Sequence, residues 1–302
     1  MAKAVLTTKV DPTYDDLPEE RYHFPRTYLR QIEASKGDFI IYYEPRRSTG
    51  ELSSRGGRQA YFATARIADV IPDPTRTDHF YAVIDAYLDF ARPVPFRKGQ
   101  HYYESAIQRP DGENNKGAFG RAVRGLPEHE YDAILKAGFG SMLGETGVSP
   151  NVSTSPFGGF GEPPATFERP LIERVVARPF REAAFSGSIK AVYDDTCAFT
   201  GLKIINGGGR SEVQAAHIRP VAASGPDSLR NGIALCGTVH WMFDRGLISI
   251  ADNHELLFAN GKVTDPVMRM INADRRLLTP ARPDQAPHPM FLRWHRENVF
   301  KG

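Results

Sequence analysis

Cysteine is scarce in this chain, with two in 302 residues, Cys197 and Cys236. That excludes a disulfide framework and suits a reducing compartment. Long apolar runs are missing as well. None approaches the roughly 20 residues that a membrane-spanning helix needs, and the opening stretch MAKAVLTTKVDPTYDDLPEE lacks the apolar core of a signal peptide. The expectation is a soluble, cytoplasmic protein without membrane contact. Charge of one sign is not in excess either. The formal net charge is +2, with 20 basic against 21 acidic residues up to Pro150 and 18 against 15 beyond it. Any surface for a polyanion must therefore be local.

What is present divides the chain in two. At 302 residues, with 41% hydrophobic and 25% charged, there is enough chain for two ordinary cores. Residues 144–164 read GETGVSPNVSTSPFGGFGEPP, rich in Gly, Pro, Ser and Thr and poor in charge, which is linker composition. The expected organisation is a domain over 1–143, a flexible linker over 144–167 and a second domain over 168–302. The overall class expected is α+β.

The most informative stretch is 215–246, AAHIRPVAASGPDSLRNGIALCGTVHWMFDRG. His217 lies in an apolar, strand-like run, Asn231 in the turn before a second short apolar run, and His240 opens a helix closed by Gly246. A histidine that is neutral near pH 7 can deprotonate water. His240 and Asp244 are one helical turn apart and share a face, as two donors to a divalent ion should. Strand, loop, strand and helix with these letters resemble the ββα-metal hairpin of the HNH endonucleases. The resemblance implies DNA phosphodiester hydrolysis with one Mg²⁺ or Mn²⁺ ion per site. His217 is then the general base, His240 and Asp244 hold the ion, and Asn231 is a brace whose amide ties the loop.

Two positions depart from that family's pattern. Many relatives carry an acidic residue or a histidine just before the general base as a metal ligand, where this chain has Ala216. Gln214, then Glu212, are the residues expected to replace it. Many relatives also staple the hairpin with zinc held by two CxxC pairs. Here those places read CAFT and CGTV, two sulfurs where tetrahedral zinc needs four ligands, so no structural zinc is expected. Around the motif, Phe180, Phe185, Ile189 and Tyr193 are expected on a helix packed against the hairpin. LISIADNHELLF reads as two strands about an Asp-Asn turn. His295, in FLRWHRENVF, reads as a packed residue of a terminal helix.

The first half carries aromatic-rich runs, GDFIIYYEP, AYFATARIADVIPDP and FYAVIDAYLDFARPVPF, separated by turn residues. They predict a twisted sheet or small barrel. The pattern is similar to the PUA-like superfamily, which includes EVE, ASCH and SRA domains. That resemblance implies an aromatic-lined pocket for a nucleobase or modified nucleotide. Tyr42, Tyr43, Tyr61 and Phe62 are the candidate faces, and strand alternation allows only one of each adjacent pair to line a cavity. Arg46, Arg47, Arg55 and Arg58, in a Gly/Ser-rich loop, are candidates for gripping DNA phosphates. Together the halves resemble the modification-dependent restriction endonucleases, which flip a modified base, here expected to be a modified cytosine, and cut nearby. One such site cuts one strand, so double-strand cleavage implies a homodimer or two sequential nicks. Two further classes fit the sequence: an HNH nuclease indifferent to modification, and a non-catalytic nucleic-acid binder that keeps the hairpin as scaffold.

Overall fold

A computed structural model of the protein describes residues 2–8, 16–45, 59–145 and 171–302. Arg46, Arg47, Arg55 and Arg58 lie outside the described residues, as does most of the expected linker. The class is α+β. Six strands form one sheet: β1 (Lys3–Thr7), β2 (Arg21–Pro25), β3 (Phe39–Glu44), β4 (Ala60–Pro72), β5 (His79–Pro95) and β6 (Val123–Leu126). Their order is β2-β5-β4-β3-β1-β6, with β1 parallel to β3 and the other pairs antiparallel. The three aromatic runs became the three central strands because β-branched and aromatic side chains suit a pleated surface covered on both sides. The sheet is curled. The Tyr22 hydroxyl, on edge strand β2, donates to the carbonyls of Thr7 and Ala122 at 3.1 and 3.3 Å, near the opposite edge.

Alternation sorts the strand residues into two cores. One face gathers Leu6, Tyr22, Phe24, Ile40, Tyr42 and Phe62. The other gathers Val5, Ile41, Tyr43, Tyr61, Leu88 and Phe90 under helix α1 (Glu128–Glu145), which contributes Tyr131, Ile134, Leu135 and Phe139. Each of those helix side chains is fully buried, and each contributes roughly 1.5–3 kcal/mol of transfer free energy.

Helix α2 (Arg178–Val192) joins the halves. Phe185, Ile189 and Tyr193 pack into the core around the hairpin, as the sequence suggests. Phe180 does not. It turns to the sheet, its ring 5.3 Å from that of Phe139 in an edge arrangement. A helix of 15 residues presents more than one apolar stripe, and here each stripe serves a different core.

The hairpin strands are β7 (Gln214–His217) and β8 (Gly232–Leu235), followed by helix α3 (Gly237–Asp244). Short strands Ile248–Ile250 and Leu256–Phe258 pair antiparallel about the Asp-Asn turn. Helix α4 (Pro289–Asn298) closes this half, burying Phe291, Leu292 and His295. Among the described residues no helix is long and apolar enough to cross a membrane.

His295 is a structural histidine. Its ring stacks on Phe243 at 3.8 Å, Nδ1 meets the Ser249 hydroxyl at 2.9 Å, and Nε2 lies 3.1 Å from the Phe243 carbonyl. Burial disfavours the imidazolium and pulls its pKa from 6.5 to about 4, against the pull of the Phe243 carbonyl. The unfolded chain thus binds a proton that the folded chain refuses. The stability it contributes is present above about pH 6.5 and is lost as the pH falls to about 4, on the order of 3 kcal/mol in all. Urea unfolding of wild type and His295→Gln across that window should show the variant's stability falling less with acid. Parallel pH dependences would remove His295 as the cause.

Candidate active site

Register in the hairpin sets the site. Gly232 lies opposite His217 and Leu235 opposite Gln214. Gly232 is required there because a Cβ would stand 2.3 Å from Ile189 Cδ1 and 2.8 Å from Phe185 Cζ. The absence of that Cβ lets α2 press against the strand pair. Phe185 in turn stacks flat on the His217 ring, 3.8 Å between centroids and 9° between planes.

His217 is held at its edge as well as its face. Its Nε2 lies 2.9 Å from Asp227 Oδ1. The other Asp227 oxygen accepts from Arg181 Nε at 2.6 Å. Burial alone would raise the Asp227 pKa, but the hydrogen bond from His217 and the charge of Arg181 outweigh it and hold the carboxyl below its usual range. An ionised carboxylate only accepts, so Nε2 carries the ring proton and Nδ1 presents its lone pair. The His217 side chain keeps 19% of its surface exposed, enough for Nδ1 to meet water. Neither Asp227 nor Arg181 was singled out from the sequence. Asp227 had a signal, being the one acidic residue between His217 and Asn231; Arg181, on another element, had none.

Asn231 is wholly buried. Its Oδ1 accepts from the Arg219 amide, and its Nδ2 donates to the Arg219 and Pro226 carbonyls, all at 2.9 Å. Each such bond is worth on the order of 1 kcal/mol, and more if its partner were left buried and unmade. The two to Arg219 cinch the loop 218–231 at its neck, and the third ties Pro226, beside Asp227, to it.

At the start of α3, His240 Nδ1 lies 2.7 Å from Gln214 Oε1. An amide oxygen only accepts, so Nδ1–H donates and Nε2 is left with a lone pair. On that side Asp244 Oδ2 stands 3.5 Å away, half exposed. His240 Nε2 and Asp244 therefore fit a divalent ion, and the imidazole is braced from behind as metal-ligating histidines usually are. Gln214 stands behind the His240 ring, while Ala216 points into the hairpin core. Glu212 accepts from the Gly237 amide at 2.8 Å, at the N-terminus of α3. Among the described residues no three His, Cys, Asp or Glu side chains are grouped to hold a metal. Two protein donors would leave most positions of a divalent ion to water and phosphate oxygens.

Cys197 and Cys236 are both buried in the hairpin core. Beside β7 lies an open cleft of about 350 Å³, whose lining includes Lys190, Asn206, Arg210 and Gln214. Tyr42, Tyr43, Tyr61 and Phe62 divide two and two between the sheet's faces, and all four are buried in its cores. Tyr42 stacks with Phe62 at 5.8 Å, and Tyr43 tilts against Tyr61 at 5.2 Å. The Tyr61 hydroxyl donates to Glu104 at 2.7 Å. Those of Tyr42 and Tyr43 are buried with no hydrogen-bond partner among the described residues.

Residues 197–251 match the family model described as HNH endonuclease. In a comparison with curated protein sequences nothing matched. Among solved structures the chain is similar to a modification-dependent TagI restriction endonuclease, at 16% identity and a TM-score of 0.32, over 97% of this chain and 81% of that one. It is also similar to the N-terminal domain of Staphylothermus marinus McrB, at 12% identity and a TM-score of 0.32, over 45% of this chain and 94% of that one. A third is the Type IV phosphorothioation-dependent restriction endonuclease ScoMcrA, at 14% identity and a TM-score of 0.20, over 79% of this chain and 46% of that one.

Proposed function

Starting from an HNH endonuclease domain at residues 197–251, we propose that the protein is a modification-dependent restriction endonuclease that cuts DNA near a modified base, with modified cytosine the first candidate. The observation that carries the catalytic half is the pairing of His217 with Asp227, because it leaves Nδ1 free to act as a base. In this mechanism His217 Nδ1 takes a proton from water as the water oxygen bonds to phosphorus. The bond from phosphorus to the 3′ oxygen breaks, and that oxygen leaves with the electron pair. Asp227 stabilises the imidazolium so formed. Mg²⁺ or Mn²⁺, bound by His240 and Asp244, supplies neutralisation of the charge gathering on the phosphate and the departing oxygen. Lys190 and Arg210, in the cleft beside Gln214, suit the backbone phosphates of the bound strand.

Base reading is assigned to the curled sheet of the first half, taken as a PUA-like module. The hydroxyls of Tyr42 and Tyr43 are orphaned on opposite faces of the sheet, and since buried polar groups are costly unless paired, a base edge admitted to one face would pair one of them. Arg46, Arg47, Arg55 and Arg58 are proposed to grip the DNA backbone. Residues 1–143 are proposed as the reader, 144–167 as the linker and 168–302 as the nuclease, with double-strand cleavage by a homodimer or by two nicks. The second reading is a nuclease indifferent to modification, favoured by the burial of all four candidate aromatics.

Digestion of otherwise identical DNAs bearing 5-methylcytosine, 5-hydroxymethylcytosine, a glucosylated base or a phosphorothioate, with Mg²⁺ and with Mn²⁺, separates the two. The expected result is cutting of one modified DNA at least about tenfold faster than the unmodified duplex, the yield of roughly 1.4 kcal/mol of discrimination. Equal cutting of every DNA would favour the second reading.

A further inference from the structure

The loop 218–231 carries Asp227 to the general base, yet much of what fixes it comes from the other half of the chain. Three consecutive residues after Asp227 are gripped from there. Glu19 accepts from the Ser228 hydroxyl at 3.0 Å and from Arg230 Nε and Nη2 at 2.7 and 2.5 Å. Asp89, on β5, accepts the Leu229 amide at 2.8 Å through one oxygen, and the Tyr87 hydroxyl holds its other oxygen at 2.8 Å. The backbones of Leu88 and Asp227 meet in a parallel bridge. At the loop's start, Arg219 pairs with Glu20 at 2.7 Å. Arg181, which holds Asp227, also reaches the Tyr87 carbonyl at 3.4 Å.

Building on the nuclease reading above, we propose that Glu19 and Asp89 are positioning residues for its chemistry, holding the loop so that Asp227 meets His217. The active site is therefore completed across the two halves. Glu19 is nearly inaccessible, its side chain only 2% exposed. A buried ion pair of this kind adds little net stability over apolar packing, so its value lies in fixing a geometry. The geometry fixed here is that of the residues between Asp227 and Asn231. Asn231 holds the neck of the loop and the Pro226 carbonyl just before Asp227; without Glu19 and Asp89, the residues after Asp227 lose their side-chain anchors to the first half, and Asp227 itself keeps Arg181 and one backbone bridge. Loss of the carboxylate would then free the His217 ring to turn about its stacking plane on Phe185.

The test uses the full chain and reads nicking of supercoiled plasmid with Mn²⁺ together with the ring ¹⁵N resonances of His217. Glu19→Gln and Asp89→Asn should each lower kcat about tenfold or more, the scale of a lost supporting contact, with KM for DNA within about twofold of wild type. The His217 Nε2 resonance should move toward that of Asp227→Asn, and Glu19→Asp, which keeps the charge, should recover part of the rate. Tyr87→Phe, which removes one hydroxyl, serves if either variant fails to fold. Folded variants with unchanged kcat, or with an unchanged His217 resonance, would overturn the proposal. If wild type itself does not nick DNA, the nuclease reading falls, and the resonance still decides whether the first half positions His217.

Discussion

Replacing His217 with alanine is expected to slow metal-supported nicking by at least ~10²-fold, the usual scale for a general base. DNA binding should persist. What surrounds the ring sets this expectation. Phe185 fixes its plane and Asp227 its tautomer, so the surrounding groups serve to present one nitrogen to water. Asp227→Asn should cost less, about tenfold, because the ring remains and only its orientation and the stability of its charged form suffer. The two variants should therefore rank in that order in single-turnover nicking, with DNA affinity followed separately by fluorescence anisotropy. Near-normal cutting by His217→Ala would take that residue out of the mechanism. Equal losses in cutting and in binding would instead show that the ring holds DNA rather than activating water.

The hairpin was legible because its chemistry is written in contiguous letters. His217, Asn231 and His240 fall within one short stretch, and turn, strand and helix signals agree over it. The central strands were legible for the same local reason, since alternation puts Tyr42 and Tyr43 on opposite faces whatever lies beyond them. Burial was less so. An aromatic residue on a strand looks the same in sequence whether it lines a pocket or meets a second layer, and helix α1 supplies that layer over Tyr43 and Tyr61. Long-range pairing was not legible at all. Arg230 meets Glu19 across 211 residues, and Arg181 meets Asp227 across 46. Neither charge sits at a spacing that local periodicity can detect. Gln214 shows an intermediate case. Its place two residues before Ala216 puts it near the proposed ion, and its hydrogen bond to His240 Nδ1 suits a brace rather than a ligand.

That distinction has consequences for metal dependence. His240→Ala removes the one nitrogen donor of the proposed pair, and Mg²⁺-supported cutting should fall by at least ~10²-fold, because a single half-exposed carboxylate is a weak site for an ion that keeps most of its water. Asp244→Ala should weaken cutting by roughly tenfold, since His240 remains to seat the ion and a water can take the place of the carboxylate. Gln214→Ala should fall in the same range, 10- to 100-fold, which is the scale for outer partners of a metal ligand. Titrating Mg²⁺ and Mn²⁺ separates the roles. Higher metal concentration should restore much of the activity of Asp244→Ala and Gln214→Ala, whose defect is affinity, with Mn²⁺ the better rescuer because it tolerates nitrogen donors more readily. It should not restore His240→Ala. Full activity in chelator-treated enzyme would sink the ββα-metal assignment for this chain. A Gln214→Ala variant with wild-type metal dependence would show that the Nδ1 contact does not orient His240.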